Sequence, residues 1–554
     1  MERKIQAVER GWPWALAALM LLDAVLLLYM GRGLSFYFDD WDFVTHDFGG
    51  GIHSLLAAHV GNVSVFPVAI YKILFHLVGL NHYAIYRLVV IGLHLFSAGL
   101  IFVLAARRIP RVPALLATAL ILFLGAAWED LLWAFQIGYM LSIAGGLAAW
   151  VLLEREDRRS DIVATVCVIV AAGSSSLGIP IMIGIAVELA WQGHWRRVWV
   201  GVVPAVLYLM WYAGYGESQI TKNGLINAPG FVEDLAATAF GGLVGRALEW
   251  GRPLALLGVV VLLRRLVRPP PVTPRLAGLL ATGLSLWFVT AATRSTISVP
   301  ETSRYIYFGA VVIVLVGVEL LREITITPVA TALATPLVAF FVVTGLTVMH
   351  AGATGLRETS KTVTAELGSL ELAAAHAPPS YQPDTQRAPQ IKAGPYLHTV
   401  HAIGSSPADA PNEIVRSDPA PRAAADNVLL ALEPPKLMPV TDRKALQLSP
   451  APSIASAGAG VQVHRGGCVA LTALSGETVT GMFTLPSSGA IISDEGNAAA
   501  TVAIKRFGDS FDLISPTVAP RGTVALSVAT DAGHIPWVVQ VSSLSSLSIC
   551  GLRG

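Results

Sequence analysis

The sequence predicts a polytopic α-helical membrane protein, with about eleven transmembrane helices, that ends in an extracytoplasmic β-sandwich. Of the 554 residues, 54% are hydrophobic and only 14% are charged. The mean hydropathy is +0.61, which is typical of a chain with many membrane spans. The apolar stretches fill the first two thirds of the chain and fade after about His350. Residues 454–554 instead alternate apolar and polar side chains, as strands do.

The first apolar stretch covers residues 11–30 and follows the basic residues Arg3, Lys4 and Arg10. A signal peptide would begin in the same way, but no small-residue cleavage site follows, so we expect a transmembrane helix. A helix needs about 20 apolar residues to cross roughly 30 Å of hydrocarbon. By this criterion residues 1–350 form a transmembrane body, in which some spans are short or interrupted by glycine.

Basic segments recur at alternate loops of this body and predict its orientation. They cover residues 107–111, 154–159, 194–197, 264–275 and 321–323. The positive-inside rule places them in the cytoplasm together with the amino terminus. The outer side then receives residues 35–67, 128–131, 173–180, 214–250 and 295–305, and everything after about Met349. The polar residues that suit chemistry therefore cluster on the outer face.

The chain after the membrane body has two parts that differ in composition. Residues 351–453 are rich in Pro, Ala and Ser and show little periodicity, which predicts an irregular extracytoplasmic linker. In residues 454–554, runs such as CVALTAL, TVTGMFTL and TVALSVA alternate between turn residues, which predicts a small antiparallel β-sandwich. Cys468 and Cys550 bracket this segment, so they either form a disulfide in an oxidising compartment or are two unpaired thiols.

Three acids stand among aromatic residues in the stretch SFYFDDWDFV, directly after the first span. Asp39 and Asp40 are adjacent, and Asp42 follows closely. Unpaired carboxylates near lipid are energetically expensive, so their presence here indicates a function. Two adjacent carboxylates at a partly desolvated surface can take different protonation states, one as a base and one as its orienting group. The alternative is a solvated loop with ordinary acids.

A carboxylate pair in the first outer loop, directly after the first span, resembles the integral-membrane glycosyltransferases of the C superfamily. This group includes protein O-mannosyltransferases, aminoarabinose transferases and the arabinofuranosyltransferases of bacterial walls. The resemblance implies that a sugar moves from a polyprenyl-phosphate or polyprenyl-diphosphate carrier to a glycan, glycolipid or glycoprotein acceptor on the outer face, with inversion at the anomeric carbon. It also implies that Asp39 is the general base and that Asp40 orients the acceptor or shares the proton.

A second resemblance lies in the stretch ETSRYIYF, where an Arg-Tyr pair opens a late span, as in many of these transferases. Arg304, with Tyr305 beside it, is expected to hold the carrier phosphate, because a guanidinium suits the negative charge that this leaving group gathers. Arg294 and Lys222 are further candidates for this role. The alternative for Arg304 is a side chain that snorkels to the membrane interface.

Other residues of the outer loops are candidates for binding the acceptor or the donor sugar. Glu129 and Asp130, in AWEDLLWAFQIGY, either face a sugar or cap a helix. The remaining candidates are His59 and Asn62, which follow the acids in the same loop, and Tyr37, Trp41 and Trp128, which suit stacking on sugar faces.

Metal and cofactor binding are not predicted. His46 and His53 lie near the first acids, and some members of the superfamily use a divalent metal to activate the acceptor. Yet the spacing matches no metal-site signature, so we expect no metal. Asp23 and His94 fall within predicted spans, where hydrogen-bonded packing roles are expected.

Several function classes are excluded by what the sequence lacks. A net charge of +1 and the lack of a basic stripe with interleaved aromatics exclude nucleic-acid binding. No phosphate-binding loop, zinc-protease motif or nucleophile elbow occurs. We expect a glycosyltransferase in a bacterial plasma membrane that contacts the lipid bilayer and a polyprenyl-phosphate sugar. The alternatives are a transporter or flippase of a lipid-linked sugar and a non-catalytic envelope scaffold. The sandwich would hold a glycan acceptor, as in some wall arabinosyltransferases, bind a protein, or serve as a lid.

Overall fold

The computed structural model describes residues 2–59, 61–246, 248–267, 272–441, 448–449, 452–457, 459–464, 468–473, 477–529, 531 and 533–552. The chain divides into two compact units, Met1–Arg357 and Glu358–Gly554. The first unit is mainly helical, and the second combines helices with antiparallel sheets.

The helices of the first unit follow one another with short connections. They are α1 (Glu2–Met30), α2 (Asp40–Asp42), α3 (Gly51–Leu56), α4 (Val65–Val78), α5 (Tyr83–Ala106), α6 (Arg111–Leu122), α7 (Trp128–Leu132), α8 (Ile137–Leu153), α9 (Arg158–Ser174), α10 (Gly178–Trp191), α11 (Trp199–Tyr215), α12 (Lys222–Leu243), α13 (Leu248–Leu266), α14 (Pro274–Arg294), α15 (Ile306–Leu321) and α16 (Pro328–Leu372), whose last turns belong to the second unit. A short hairpin, β1 (Ala58–His59) with β2 (Asn62–Val63), lies between α3 and α4.

Eight helical stretches in the described part of the chain are long and apolar enough to cross a membrane, and α4 and α10 are shorter apolar helices. The predicted multi-pass helical body is confirmed. The count of about eleven spans stays a prediction.

Side-chain caps explain where several of these helices begin. Asp157 accepts hydrogen bonds from two backbone N–H groups at the start of α9. Thr221 and Thr273 each accept one at the start of α12 and α14. Pro274 occupies the first turn of α14, where its missing N–H costs nothing. These caps satisfy N–H groups that have no acceptor within the helix.

Ion pairs join the helix ends that carry the basic segments. The pairs are Arg108 with Glu154 and Glu319, Arg275 with Glu188, and Arg197 with Asp161. They connect α5, α8, α9, α10, α14 and α15 at one end of the helical body. The segments predicted for one side of the membrane therefore lie together, and the loops with the candidate site lie at the opposite helix ends.

In the second unit, three helices precede the main strands: α17 (Ala393–Ile403), α18 (Pro411–Arg416) and α19 (Pro419–Leu432). The strands are β3 (Lys436–Pro439), β4 (Leu448–Ser449), β5 (Ile454–Ala457), β6 (Ala459–His464), β7 (Cys468–Ala473), β8 (Val479–Thr484), β9 (Ala490–Asp494), β10 (Ala500–Lys505), β11 (Asp512–Val518), β12 (Thr523–Ser527), β13 (Val538–Ser543) and β14 (Leu547–Leu552).

Two antiparallel sheets form the β-rich part of the second unit. One has the strand order β11-β10-β13-β8-β5, and the other has the order β3-β12-β9-β14-β7-β6 with β4 beside β14. Burial alternates along β8 and β13, as expected for strands with one face in a core. Phe483, Val541 and Ile549 are among the buried residues of that core. The predicted β-rich carboxy-terminal segment is confirmed.

Residues 351–453 differ from the predicted irregular linker, because much of the segment is helical. It contains the end of α16, all of α17, α18 and α19, and strand β3. Pro411 and Pro419 stand at the first positions of their helices, where proline is favoured rather than disruptive. Ile414, Ala425 and Leu429 pack into the same core as the strands. The Pro and Ala content therefore marks short helices, two of which begin at a proline.

Cys468 and Cys550 lie opposite each other on β7 and β14 and form a disulfide across a sequence separation of 82 residues. Replacing both by serine is expected to lower the free energy of unfolding of the second unit by about 2–5 kcal/mol, because the open chain gains freedom when it unfolds. Denaturant unfolding of the full-length wild type and the Cys468→Ser/Cys550→Ser variant measures the change. Equal midpoints would contradict the prediction.

Candidate active site

The two adjacent acids of the first outer loop lie in different environments. Phe38 adopts a positive φ of 44°, a conformation that is uncommon for a residue with a side chain and that turns the backbone just before the acids. Asp39 precedes α2 and lines a small polar cavity. Asp40, the first residue of α2, is fully buried. The two carboxylates therefore have different surroundings, although they are adjacent in the sequence.

Four donors surround the carboxylate of Asp40. Its Oδ2 accepts hydrogen bonds from the backbone N–H of Tyr37 at 2.9 Å, from the Tyr83 hydroxyl at 2.9 Å and from Trp133 Nε1 at 3.0 Å. The Tyr71 hydroxyl donates to Oδ1. These donors come from α4, α5, the first loop and the segment after α7. Asp40 thus ties the loop that carries Asp39 to three other parts of the body.

The aromatic residues around Asp40 are packed rather than open to a ligand. Trp41 is fully buried and lies against Phe36, with ring centroids 5.6 Å apart. Tyr37 packs edge-on against Trp133. Within the described residues, neither Asp40 nor Trp41 lines either of the two cavities described below. Asp40, predicted to orient the acceptor, and Trp41, predicted to stack on a sugar, are therefore both buried in aromatic packing.

Burial raises the pKa of Asp40 to about 7, although its hydrogen bonds act in the opposite direction. Because this value is above that of an unfolded aspartate, the folded protein binds the proton more tightly. The stabilisation from this group is complete at low pH and is lost as the pH rises through about 7. Relative to Asp40→Asn, we expect the free energy of unfolding of the wild type to fall by up to about 1.4 kcal/mol per pH unit between about pH 4 and 7.

Chemical denaturation of both proteins in the same detergent across this pH range measures the difference. If the free energy of unfolding of the wild type, relative to that of Asp40→Asn, stays constant or increases with pH, Asp40 is ionised throughout this pH range.

The small cavity has a volume of about 60 Å³ and a polar lining. Asp39 lies on its wall together with Arg294 and Arg304. Asp39 and Arg304 are near enough to interact electrostatically. His59 and Asn62, which pair with each other in the β1–β2 hairpin, also line it. Burial lowers the pKa of His59, which favours its neutral ring. The structure thus gathers predicted residues from three separate segments of the chain.

A larger cavity of about 310 Å³ adjoins the small one. Arg294, Arg304, Tyr305 and Asn62 line both, so the two cavities share a wall. Most of the other lining residues are apolar or aromatic side chains of α8, α10, α11, α14 and α15, among them Trp287. The arrangement places two arginines between a small polar cavity and a larger apolar one.

Arg304 is held by the segment of α7. The backbone N–H of Arg304 donates to Glu129 Oε2 at 3.0 Å, and its guanidinium lies 3.9 Å from Glu129 Oε1. Ser303 accepts a hydrogen bond from the backbone N–H of Glu129 and donates to the carbonyl of Ala126. The guanidinium also lies 5.9 Å from the ring centre of Trp133. Glu129 therefore contacts Arg304, and it is not among the described residues that line the two cavities.

Two other predicted site residues lie elsewhere. Lys222 is exposed at the first position of α12, and Trp128 packs against Gly352 of α16. In the part of the chain that the structure describes, neither lines the cavities. Thr221, beside Lys222, caps α12.

The structure also adds residues that the sequence analysis did not select. Gln136 lines the small cavity, Tyr139 lines both, and Tyr307 lines the larger one. Gln136 is a polar residue directly before the apolar helix α8, so the sequence could have indicated it as a candidate. Tyr139 and Tyr307 offer none, because tyrosines are frequent in the outer parts of membrane helices.

No group of three or more His, Cys, Asp or Glu side chains suited to a metal ion occurs among the described residues. His46 lies 3.5 Å from Asp42, one turn earlier in the chain. His53 lies on α3.

Comparisons with known proteins give distant similarities. No protein-family model and no curated protein matches the chain. Among solved structures, the chain is similar to ArnT from Cupriavidus metallidurans bound to undecaprenyl phosphate, with 15% identity, 67% of this chain and 81% of that chain covered, and a TM-score of 0.43. It is also similar to arabinosyltransferase EmbB from Mycobacterium smegmatis, with 12% identity and a TM-score of 0.34. That match covers 97% of this chain and spans 64% of the length of EmbB.

Proposed function

We propose that this protein is an inverting glycosyltransferase that moves a sugar from a polyprenyl-phosphate carrier to a glycan, glycolipid or glycoprotein acceptor. The observation that carries the proposal is the placement of Asp39 and two arginines around a polar cavity that adjoins an apolar one. A lipid phosphate needs cations beside an apolar space, and a sugar acceptor needs a base. The small cavity meets both requirements, because Asp39 lines it together with the two arginines, which also line the larger cavity.

Asp39 is the general base in this proposal. A sugar hydroxyl is a weak nucleophile, and a carboxylate within hydrogen-bond reach takes its proton as the bond to the anomeric carbon forms. The electron pair of the breaking glycosyl bond goes to the carrier phosphate. A single displacement of this kind inverts the anomeric carbon and needs no second, covalent carboxylate.

Arg304 and Arg294 stabilise the departing phosphate. Negative charge builds on the phosphate oxygens as the glycosyl bond breaks, and a guanidinium that is already in position stabilises that charge without reorganisation. Glu129 and Ser303 hold the backbone around Arg304, so its position is set before the donor binds. Tyr305 lies beside the arginine, with its ring centre 5.7 Å from the guanidinium carbon.

The larger cavity accommodates the carrier in this proposal. Its apolar lining suits the isoprene units nearest the phosphate, since each buried methylene contributes about 0.8 kcal/mol to binding. The rest of the lipid lies in the bilayer. We place the site on the outer face of a bacterial plasma membrane, with the amino terminus in the cytoplasm and the β-rich unit outside, because the site lies at the helix ends opposite the basic segments.

One observation favours a second candidate, a transporter of the lipid-linked sugar. Asp23 and His94 form a buried pair within the helical body, 3.1 Å apart. Ionisable residues at that depth are typical of translocation paths.

The test uses purified full-length protein with radiolabelled polyprenyl-phosphate arabinofuranose, mannose and glucose and a panel of envelope glycan acceptors. We expect label from one donor to appear in an acceptor, with release of polyprenyl phosphate. If no donor is consumed and the labelled lipid instead crosses the membrane of a reconstituted vesicle, the transporter replaces the transferase.

A further inference from the structure

One fully buried tryptophan contacts both the loop of Asp39 and the guanidinium of Arg304. Trp133 follows α7 directly. Its Nε1–H is shared between two acceptors of the loop, the carbonyl oxygen of Tyr37 at 3.0 Å and Asp40 Oδ2 at 3.0 Å. Its ring centre lies 5.9 Å from the guanidinium carbon of Arg304. Trp133 therefore spans the two elements that carry the proposed base and the proposed phosphate ligand.

Helix α5 holds the backbone on both sides of Trp133. Arg87 Nε donates to the carbonyl oxygen of Leu132 at 2.9 Å, and the Tyr83 hydroxyl accepts from the backbone N–H of Ala134 at 3.0 Å. Tyr83 and Arg87 are one helical turn apart, so both side chains lie on the same face of α5. Because the peptide units before and after Trp133 are both anchored, the indole has little freedom to move.

Arg87 is fully buried and makes no ion pair among the described residues. Besides the bond to Leu132, its Nη2 donates to the carbonyl oxygen of Leu27 in α1 at 2.8 Å. A Cβ atom on Gly31 would stand 1.8 Å from the guanidinium carbon, so the glycine leaves room for this group. A buried charge is costly unless hydrogen bonds satisfy it, and these carbonyl groups do so. Arg87 thus ties the end of α1, where the first loop starts, to the backbone before Trp133.

The chain directly before Trp133 also holds Arg304. Glu129, in α7, binds the backbone N–H of Arg304 and lies beside its guanidinium. Asp130, the next residue, is fully buried in the wall of the larger cavity. Because Trp133 contacts the first loop on one side and Arg304 on the other, a displacement of its ring would change the distance between Asp39 and Arg304.

We propose that Trp133 is a positioning residue that sets the separation between the Asp39 carboxylate and the Arg304 guanidinium, and that Arg87 and Tyr83 hold it in place. This proposal rests on the proposed function, in which a base and a phosphate ligand act together. A single displacement needs the acceptor hydroxyl, the anomeric carbon and the leaving phosphate in line, and a misplacement of about 1 Å can cost about a hundredfold in rate. Trp133 touches no substrate in this role.

Trp133→Phe keeps an aromatic ring and loses the N–H group that holds the loop. In full-length protein in nanodiscs, we expect single-turnover transfer at saturating donor to slow about 10–100-fold. The dissociation constant of bare polyprenyl phosphate should stay at the wild-type value, because Glu129 still holds Arg304. A general loss of folded protein would instead reduce the bound fraction and the transferred fraction together.

Arg87→Lys tests the backbone anchor, since an ammonium group cannot reproduce the planar fork that reaches two carbonyl groups. It should slow transfer and leave lipid binding unchanged, as Trp133→Phe does. The double variant should be no slower than the slower single variant, because both changes act through one residue. Losses that multiply would show two independent effects and contradict the proposal.

Trp150→Phe is the matched control. Trp150 is also fully buried, and its ring centre also lies 5.9 Å from the guanidinium carbon of an arginine, Arg275. It lies near the end of α8, at the helix ends opposite the candidate site. Its replacement should therefore leave transfer at about the wild-type rate.

A distance measurement tests the positioning without transfer. Spin labels on His46→Cys and Glu301→Cys, two exposed positions, report the separation of the first loop from the segment of Arg304 by pulsed EPR spectroscopy. Cys167, the free cysteine, is replaced by serine in this background. Trp133→Phe should broaden or shift the distribution of label distances, and the control variant should not.

The inference is overturned if Trp133→Phe transfers at the wild-type rate, if it weakens lipid binding as much as it slows transfer, or if it leaves the label distances unchanged. An equal loss in Trp150→Phe would also overturn it. If the wild type transfers no sugar, the proposed function fails, and a changed label distance in Trp133→Phe would still support its positioning role. Wild-type transfer with unchanged label distances in Trp133→Phe would remove the inference alone.

Discussion

Asp39→Asn is expected to transfer sugar about 10²–10⁴-fold more slowly than the wild type, the usual contribution of a general base. The amide has nearly the same shape as the carboxylate but cannot take a proton from the acceptor. Donor binding should persist, because we assign the carrier phosphate to Arg294 and Arg304 rather than to Asp39. Single-turnover transfer at saturating donor measures the chemical step apart from product release.

Asp42→Asn is the matched control, since Asp42 is the last residue of α2, three positions after Asp39, and contacts His46. Among the described residues that line the two cavities, Asp42 is not included. It should transfer at about the wild-type rate. A comparable loss in both variants would indicate a general effect of the loop. An Asp39→Asn variant that transfers sugar at the wild-type rate would show that Asp39 is not the base.

Arg304→Gln is expected to lower the transfer rate about 10²–10³-fold, the range found when one preorganised donor to a developing negative charge is removed. The variant should also bind the lipid phosphate more weakly. Arg304→Lys should recover part of the rate, because the charge returns without the planar fork that suits phosphate oxygens. Steady-state transfer with varied donor concentration separates the two effects.

Arg252→Gln is the matched control, because Arg252 is an exposed arginine in α13 that pairs with Asp234 at 2.7 Å. Its removal should leave transfer at about the wild-type rate. An Arg304→Gln variant with an unchanged rate would show that the arginine only snorkels to the interface.

The fold was predictable where side-chain burial follows a regular period. Long apolar stretches predicted the helical body, and alternation along segments such as β8 and β13 predicted the carboxy-terminal sheets. Residues 351–453 were not predictable in this way. Proline and alanine occur both in linkers and at the starts of short helices, and only packing of residues such as Ile414 against the strands distinguishes the two.

The sequence predicted which residues belong to the site better than it predicted where their side chains point. The sequence placed Asp39, His59, Asn62, Arg294 and Arg304 among the candidates, and the structure brings them to one small cavity. The sequence analysis also assigned both adjacent acids to the acceptor, Asp39 as the general base and Asp40 as the group that orients the acceptor or shares the proton. The direction of each side chain depends on backbone conformation at the helix start and on partners distant in sequence.

The surroundings of Asp40 depend most clearly on residues that are distant in the sequence. Tyr71, Tyr83 and Trp133 are 31, 43 and 93 residues away from it along the chain. No local pattern reveals that these residues enclose one of the two carboxylates. The same holds for Asp130, whose neighbours in the cavity come from α8, α14 and α15.

The configuration of the product tests the central claim most directly. The wild-type protein is given a polyprenyl-phosphate sugar of known anomeric configuration, and the configuration of the new glycosidic bond is determined by NMR spectroscopy. Single displacement with Asp39 as the only base predicts a fully inverted product, and the same inversion in the residual product of Asp39→Asn. Retention of configuration would contradict the account, because it requires a covalent intermediate and a second nucleophile.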